Sequence, residues 1–170
     1  VDNGEIVFSN GGRILPMQAD GSGRTVLPHP DLGEGEYDDG DESPEISPDG
    51  SRLLFLRTNE DQDDVYTYDL MVASRQGADP ASIVRGESSN DAVGATFVDS
   101  PTWSADGQSI FYLEMTYRKS MLTTRVVRVN TSGSARLVLA SRRVNYKELK
   151  YVNGQVRSRD AALYTGVDAS

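Results

Sequence analysis

The sequence contains no cysteine. Disulfide scaffolds, Cys-ligated zinc sites and thioredoxin-type redox centres all need thiols, so their absence excludes those classes. Basic residues are also in short supply, with 17 Lys plus Arg against 26 Asp plus Glu in 170 residues and a formal charge of -9. A nucleic-acid binder neutralises phosphates with a basic footprint, and this chain carries the opposite sign. Histidine is reduced to one residue, His29, set between Pro28 and Pro30. An isolated imidazole in a proline-flanked turn lacks the partner that a general base requires, and it cannot build a histidine-clustered metal site. Gly-x-Ser-x-Gly, His-Glu-x-x-His and Gly-x-x-x-x-Gly-Lys are all missing, which leaves serine-hydrolase, zinc-protease and phosphate-loop chemistry without support. No apolar run approaches the roughly 18 residues of a membrane-spanning helix. The sequence opens at Val1 without a basic-then-apolar leader, so the expectation is a removed leader or an excised piece.

What the chain does have is the composition of one folded, turn-rich domain: 37% hydrophobic residues, 8% aromatic, 16 Gly and 7 Pro. It also has an internal repeat. Ser43-Pro44-Glu45-Ile46-Ser47-Pro48-Asp49-Gly50-Ser51-Arg52-Leu53-Leu54-Phe55-Leu56 returns 57 residues later as Ser100-Pro101-Thr102-Trp103-Ser104-Ala105-Asp106-Gly107-Gln108-Ser109-Ile110-Phe111-Tyr112-Leu113. Each copy reads as a short strand, an Asp-Gly turn and a second strand of bulky apolar residues. The apolar runs 53–56 and 110–113 do not alternate, so both faces of these strands are expected to be covered.

The parallel continues downstream. Val65 to Leu70 and Arg125 to Val129 read as third strands, and Ala81 to Val84 and Ala135 to Leu139 as fourth strands. The N-terminal stretch enters the same scheme late, with Glu5 to Phe8, Arg13 to Met17 and Thr25 to Leu27 as strands two to four. After residue 141, Tyr146 to Val152, an Asn153-Gly154-Gln155 turn and Ala161 to Tyr164 suggest the start of a degenerate copy. No amphipathic helical pattern occurs, so the expected class is all-β. Four-stranded antiparallel units repeating every 40 to 50 residues or so indicate β-propeller blades. The expected layout within one domain, 1–170, is a partial blade at 1–30, blades at 43–86 and 100–141, and the start of a further blade at 145–170.

The Ser-Pro-x-(Ile/Trp)-Ser-(Pro/Ala)-Asp-Gly hairpin, with Met17-Gln18-Ala19-Asp20-Gly21-Ser22-Gly23-Arg24-Thr25 between third and fourth strands, resembles the TolB-like six-bladed propeller. The same blade repeat is found in the propeller domains of prolyl-oligopeptidase-type peptidases. The resemblance covers about residue 4 to about residue 155 and implies a partial ring of about three blades. It further implies a non-catalytic scaffold for a protein or peptide ligand, of periplasmic or extracellular location, with no nucleic-acid partner and no membrane span. The alternative it implies is the gating domain of such a peptidase, whose triad would lie outside this chain. A half-ring exposes two apolar blade faces, more than a soluble monomer tolerates. The missing blades are expected from the rest of a longer chain or from homo-oligomerisation.

Strand parity places the segments 31–42, 57–64, 87–99 and 115–124 on one face of such a disc and the Asp-Gly turns on the other. Long connections on a rigid scaffold are where ligands bind. Asp31, Glu34, Glu36, Asp38, Asp39, Asp41 and Glu42 are joined there by Glu60, Asp61, Asp63 and Asp64. Glu36, Tyr37, Asp38, Asp39 and Glu60 are therefore the candidate partner-contacting residues. Asp38, Asp39, Asp41, Asp61 and Asp63 are the weaker candidates for Ca²⁺, since carboxylates suit hard cations. Their spacing matches no calcium loop, and a solvated acidic surface accounts for them as well. No cofactor is expected beyond that cation.

From Gln108 onward the sign reverses, with 11 Lys plus Arg against 4 acids, after 6 against 22 before it. Such asymmetry favours head-to-tail contact, or it reflects where the chain was cut. Asp49, Gly50, Asp106 and Gly107 read as structural turn residues, Asp accepting backbone bonds and Gly taking positive φ. Asp20-Gly21-Ser22-Gly23 reads as another such turn. Trp103 reads as core, although an aromatic on an innermost strand could also meet a ligand. Asn130-Thr131-Ser132 fits the glycosylation pattern, a short and common motif.

Overall fold

The computed structural model describes residues 4–28, 40–60, 65–88 and 94–145, and the backbone alone of 150–152 and 155–157. Every regular element among them is a strand, so the protein is all-β. Strands β1 (Glu5–Asn10) and β2 (Arg13–Gln18) form an antiparallel hairpin. Eight strands follow as one open antiparallel meander in strict sequence order. They are β3 (Gly40–Ile46), β4 (Arg52–Glu60), β5 (Tyr66–Ser74), β6 (Ala81–Ser88), β7 (Thr96–Trp103), β8 (Ser109–Arg118), β9 (Met121–Asn130) and β10 (Leu137–Asn145). A separate short hairpin joins β11 (Lys150–Val152) to β12 (Gln155–Arg157).

The meander is continuous in name more than in substance. Strands β6 and β7 share a single paired position, Glu87 with Thr96, whereas β4 and β5 pair at nine. Two four-stranded units, β3 to β6 and β7 to β10, therefore meet at a one-residue seam. Gly86 makes the seam sterically feasible, because a Cβ there would stand 2.4 Å from the Thr96 carbonyl oxygen.

Alternation along β4 explains the layering. Leu53 and Phe55 point to one face with Met71 and Ala73, where Ile14 of β2 joins them and Val7 and Leu27 pack alongside. Leu54 and Leu70 point to the other face, against Val98, Trp103, Ile110, Tyr112, Val127 and Val129. Three layers thus stack in chain order, and the middle one is covered on both sides. That is why the run 53–56 is apolar without alternation. The second run behaves differently. Ile110 and Tyr112 are buried, but Phe111 and Leu113 face away from the middle layer and stay partly exposed. The expected double cover of 110–113 fails because the two buried clusters among the described residues lie between the layers, not outside the third.

Other boundaries shift in instructive ways. Residues 115–124 are not a long connection: β8 runs to Arg118, β9 starts at Met121, and Lys119 turns the chain with φ 57. Likewise β4 continues to Glu60, and Gly40 to Glu42 belong to β3. Thr25 to Leu27 is not a strand, yet its backbone bonds to β2 survive, Thr25 N to Pro16 O at 3.2 Å and Leu27 N to Ile14 O at 2.9 Å. The Ser-Pro pair of each repeat is a β-bulge. Register skips between Glu42 and Glu45 and between Asp99 and Thr102, with Ser43 at φ 51 and Ser100 at φ 49. Ala161 to Tyr164 lies outside the described residues.

Candidate functional site: the two ends of the sheet stack

An antiparallel meander sends alternate connections to opposite ends. At one end lie the turns after β3, β5, β7 and β9, and the chemistry of those after β3, β7 and β9 recurs. Asp49 Oδ1 accepts from Ser47 Oγ at 2.6 Å, Ser51 N at 3.0 Å and Ser51 Oγ at 2.8 Å, and Ser47 Oγ accepts from Arg52 N at 2.9 Å. Asp106 Oδ1 accepts from Ser104 Oγ at 2.5 Å and Gln108 N at 2.9 Å, and Ser104 Oγ accepts from Ser109 N at 2.9 Å. Gly50 and Gly107 close the turns at φ 75 and φ 67. Asp20 repeats the pattern with Ser22. Asn130 repeats it in amide form: its Oδ1 accepts from Ser132 N at 3.2 Å and its Nδ2 donates to Ser134 Oγ at 2.7 Å. These hydrogen bonds favour the charged carboxylate. The Ser47 hydroxyl, then the Ser51 amide, hold Asp49 down to about 2, and the Ser104 hydroxyl holds Asp106 below its ordinary value. These bonds tie Oδ1 of each carboxylate to its own turn.

The seam between the middle and third layers is locked from this end. Trp103, 6% exposed, donates from Nε1 to the Glu45 carbonyl at 3.3 Å, while its backbone N–H donates to Glu45 Oε2 at 3.3 Å. Arg52 covers the indole and reaches on to Gly107. The first and middle layers are joined by an ion pair between Arg75 and Glu5.

The opposite end carries the connections after β4, β6 and β8. Three rings cluster there from three strands: Tyr68 lies 4.8 Å from Phe97, and Phe97 meets Tyr117 edge-on at 5.5 Å. All three are half-buried, so the group presents apolar surface beside water. Sequence reading passed over these residues. The available signal was an aromatic within three residues of a strand end on this side of the sheet: Tyr68 at the start of β5, Phe97 at the start of β7 and Tyr117 at the end of β8.

Just inside this end runs a row of alternating charge. Asp41, Arg57, Asp69 and Arg85 stand directly opposite one another on four consecutive strands. Arg57 donates to both Asp41 oxygens at 2.7 Å, and Arg85 to both Asp69 oxygens at 2.9 and 2.8 Å, with Ser82 Oγ adding 2.6 Å. Asp41 is 3% exposed, so its carboxylate serves this row rather than a cation in solvent. In the third layer Glu114 accepts from Arg125 at 2.9 Å and from Arg136 at 2.8 Å. Beside it the Tyr112 hydroxyl is buried and falls short of a hydrogen bond; burial pushes its ionisation up, and the Arg136 guanidinium opposes this.

Glu60 ends β4 half-buried at this end, within the predicted set. Glu36, Tyr37, Asp38, Asp39, Asp61, Asp63 and His29 lie outside the described residues. Among the described residues no three acidic or histidine side chains converge as a metal site would require. No helix among them is long and apolar enough to cross a membrane. No family model matches the chain, and no curated protein matches it significantly.

Proposed function

We propose that this chain forms about three blades, roughly half, of a TolB-like six-bladed propeller, and that it acts as a non-catalytic scaffold for a protein or peptide ligand. One observation carries the reading: three antiparallel layers stacked face to face, with the same Asp-Gly or Asn turn chemistry recurring at one end. That is how blades of a propeller pack. The ligand end is the opposite one, where Tyr68, Phe97 and Tyr117 give a half-exposed aromatic patch on three rigid strands. Aromatic side chains bring large contact area at small entropic cost, which suits recognition of a peptide. A cell-envelope location accompanies this proposal.

The test is selection of a displayed random peptide library on the immobilised 170-residue chain, followed by chemical-shift mapping of an enriched peptide. The expected perturbations centre on Tyr68, Phe97 and Tyr117, and Phe97→Ala is expected to lower affinity at least tenfold. Perturbations centred on Asp49 and Asp106 would place the ligand at the wrong end. Failure to enrich any peptide would remove the scaffold reading.

A further inference from the structure

Tyr112 and Glu114 are two positions apart on β8, so both leave the same side of the third layer, the side that packs on the middle layer through Tyr112. Arg125 stands directly opposite Glu114 on β9, and Arg136 reaches the same carboxylate from the residue before β10. Two guanidiniums thus share one carboxylate. Arg125 Nη1 donates to Glu114 Oε1 at 2.9 Å and to Thr116 Oγ1 at 3.3 Å, and Arg136 Nη2 donates to Oε1 at 3.0 Å and Oε2 at 2.8 Å. The group carries one positive charge in excess. It also carries a donor without an acceptor: the Tyr112 hydroxyl, enclosed beside Arg136 and Glu114, has no hydrogen-bond partner among the described residues. A guanidinium offers only N–H groups, and the Glu114 oxygens are engaged by the two arginines and make no bond to the hydroxyl. An orphan hydroxyl inside an apolar joint costs more than an exposed one, which makes it a mark of a missing partner.

From this geometry we infer that the cluster is a binding site for a carboxylate, held by Arg136 and the Tyr112 hydroxyl. What the cluster lacks is one negative charge and one hydrogen-bond acceptor, and a carboxylate brings both. Its planar pair of oxygens also matches a guanidinium fork better than a spherical anion does. Access is by way of Arg136, whose side chain is 44% exposed where that of Glu114 is 14%. The incoming carboxylate inserts between Arg136 and Glu114. One of its oxygens accepts from the displaced guanidinium, and the other accepts from the Tyr112 O–H. Glu114 keeps Arg125, so no buried charge is stranded by the exchange. A small free acid and the C-terminus of a peptide present this same group. Tyr112, Glu114, Arg125 and Arg136 all lie outside the aromatic group, so the inference does not rest on the ligand end.

The test is an NMR titration of the 170-residue chain with sodium acetate to about 100 mM, sodium chloride holding the ionic strength constant. Saturable shifts are expected at the Arg136 Nε–H and at the Tyr112 and Arg125 amides, and acetamide, which has the shape without the charge, is expected to leave them unmoved. Tyr112→Phe removes the orphan hydroxyl alone. That variant is expected to melt no lower than wild type, since no bond is lost, and to bind acetate about tenfold more weakly. Arg136→Gln is expected to abolish binding. Shifts that never saturate mark a general salt effect and overturn the inference. So does full acetate affinity in Tyr112→Phe, or a lowered melting temperature there, which would show a hydroxyl already satisfied by water. Triglycine compared with its C-terminal amide separates the sources. Free triglycine binding tighter than acetate, with the amide inert, assigns the site to a peptide terminus; acetate binding at least as tightly assigns it to a small acid, and either result upholds the carboxylate. Shifts at Tyr68, Phe97 and Tyr117 enter none of these outcomes, so the two proposals fail separately.

Discussion

The guanidinium of Arg52 lies 4.7 Å from the centroid of the Trp103 ring while Nη2 donates to the Gly107 carbonyl at 2.7 Å. One side chain of the middle layer thus grips both the strand and the following turn of the third layer. Since the seam has a single backbone pair, side chains must supply most of its cohesion. Trp103→Ala is expected to cost about 3–5 kcal/mol, and Arg52→Ala about 1 kcal/mol from the lost ring contact and hydrogen bond. Urea unfolding checks both. A Trp103→Ala cost under about 1 kcal/mol would show that the layers are held elsewhere.

Acid should loosen the turns in a defined window. The folded Asp49 carboxyl sits at about 2 against an ordinary 3.8, and Asp106 is lowered in the same direction. A depressed carboxyl contributes stability above the unfolded value and loses it as pH falls through the folded one. The melting temperature is therefore expected to fall between about pH 4 and pH 2. Asn130 shows that an amide supports the same turn. The double variant Asp49→Asn with Asp106→Asn should fold and lose less over that window. An identical acid profile would remove the turns as its source.

Arg57 stands between two buried carboxylates, opposite Asp41 on β3 and Asp69 on β5. Its side chain is 12% exposed and that of Asp41 4%. Arg57→Met removes the bidentate guanidinium from the buried Asp41 carboxylate, at an expected cost of about 3–5 kcal/mol. Adding Asp41→Asn removes the buried charge and should recover part of that loss. Equilibrium denaturation of the two variants decides it, and a double variant no better than the single one would show that the pairing contributes through shape alone.

Sequence reading reached the all-β class through particular residues. The Asp49-Gly50 and Asp106-Gly107 pairs mark reversals whose bonds are local, so chemistry within a few positions suffices to place them. Where the answer depends on distant partners, it was out of reach. The stretch 115–124 mixes Thr, Tyr and Arg, and it forms strand because Glu114, Thr116 and Arg125 bond across the ladder. Asp41 looked like one acid among many in a charged segment; only the register with Arg57 reveals its burial. The aromatic patch is likewise assembled from three strands up to 49 residues apart, Tyr68 to Tyr117. The bulges at Ser43 and Ser100 follow from strand pairing that no single hairpin encodes.

Because every strand of the meander pairs with its neighbour in sequence, few long loops must close before contacts begin to form, and folding can start in any layer and spread to the next. The one-residue seam between β6 and β7 has a corollary for the history of the chain. Duplicating or deleting one 57-residue stretch would add or remove a whole layer while leaving nearly every backbone hydrogen bond in the others untouched. Length is thus free to vary by whole layers, and any such change is read at the seam, where Gly86, Arg52 and Trp103 fix how one layer seats on the next.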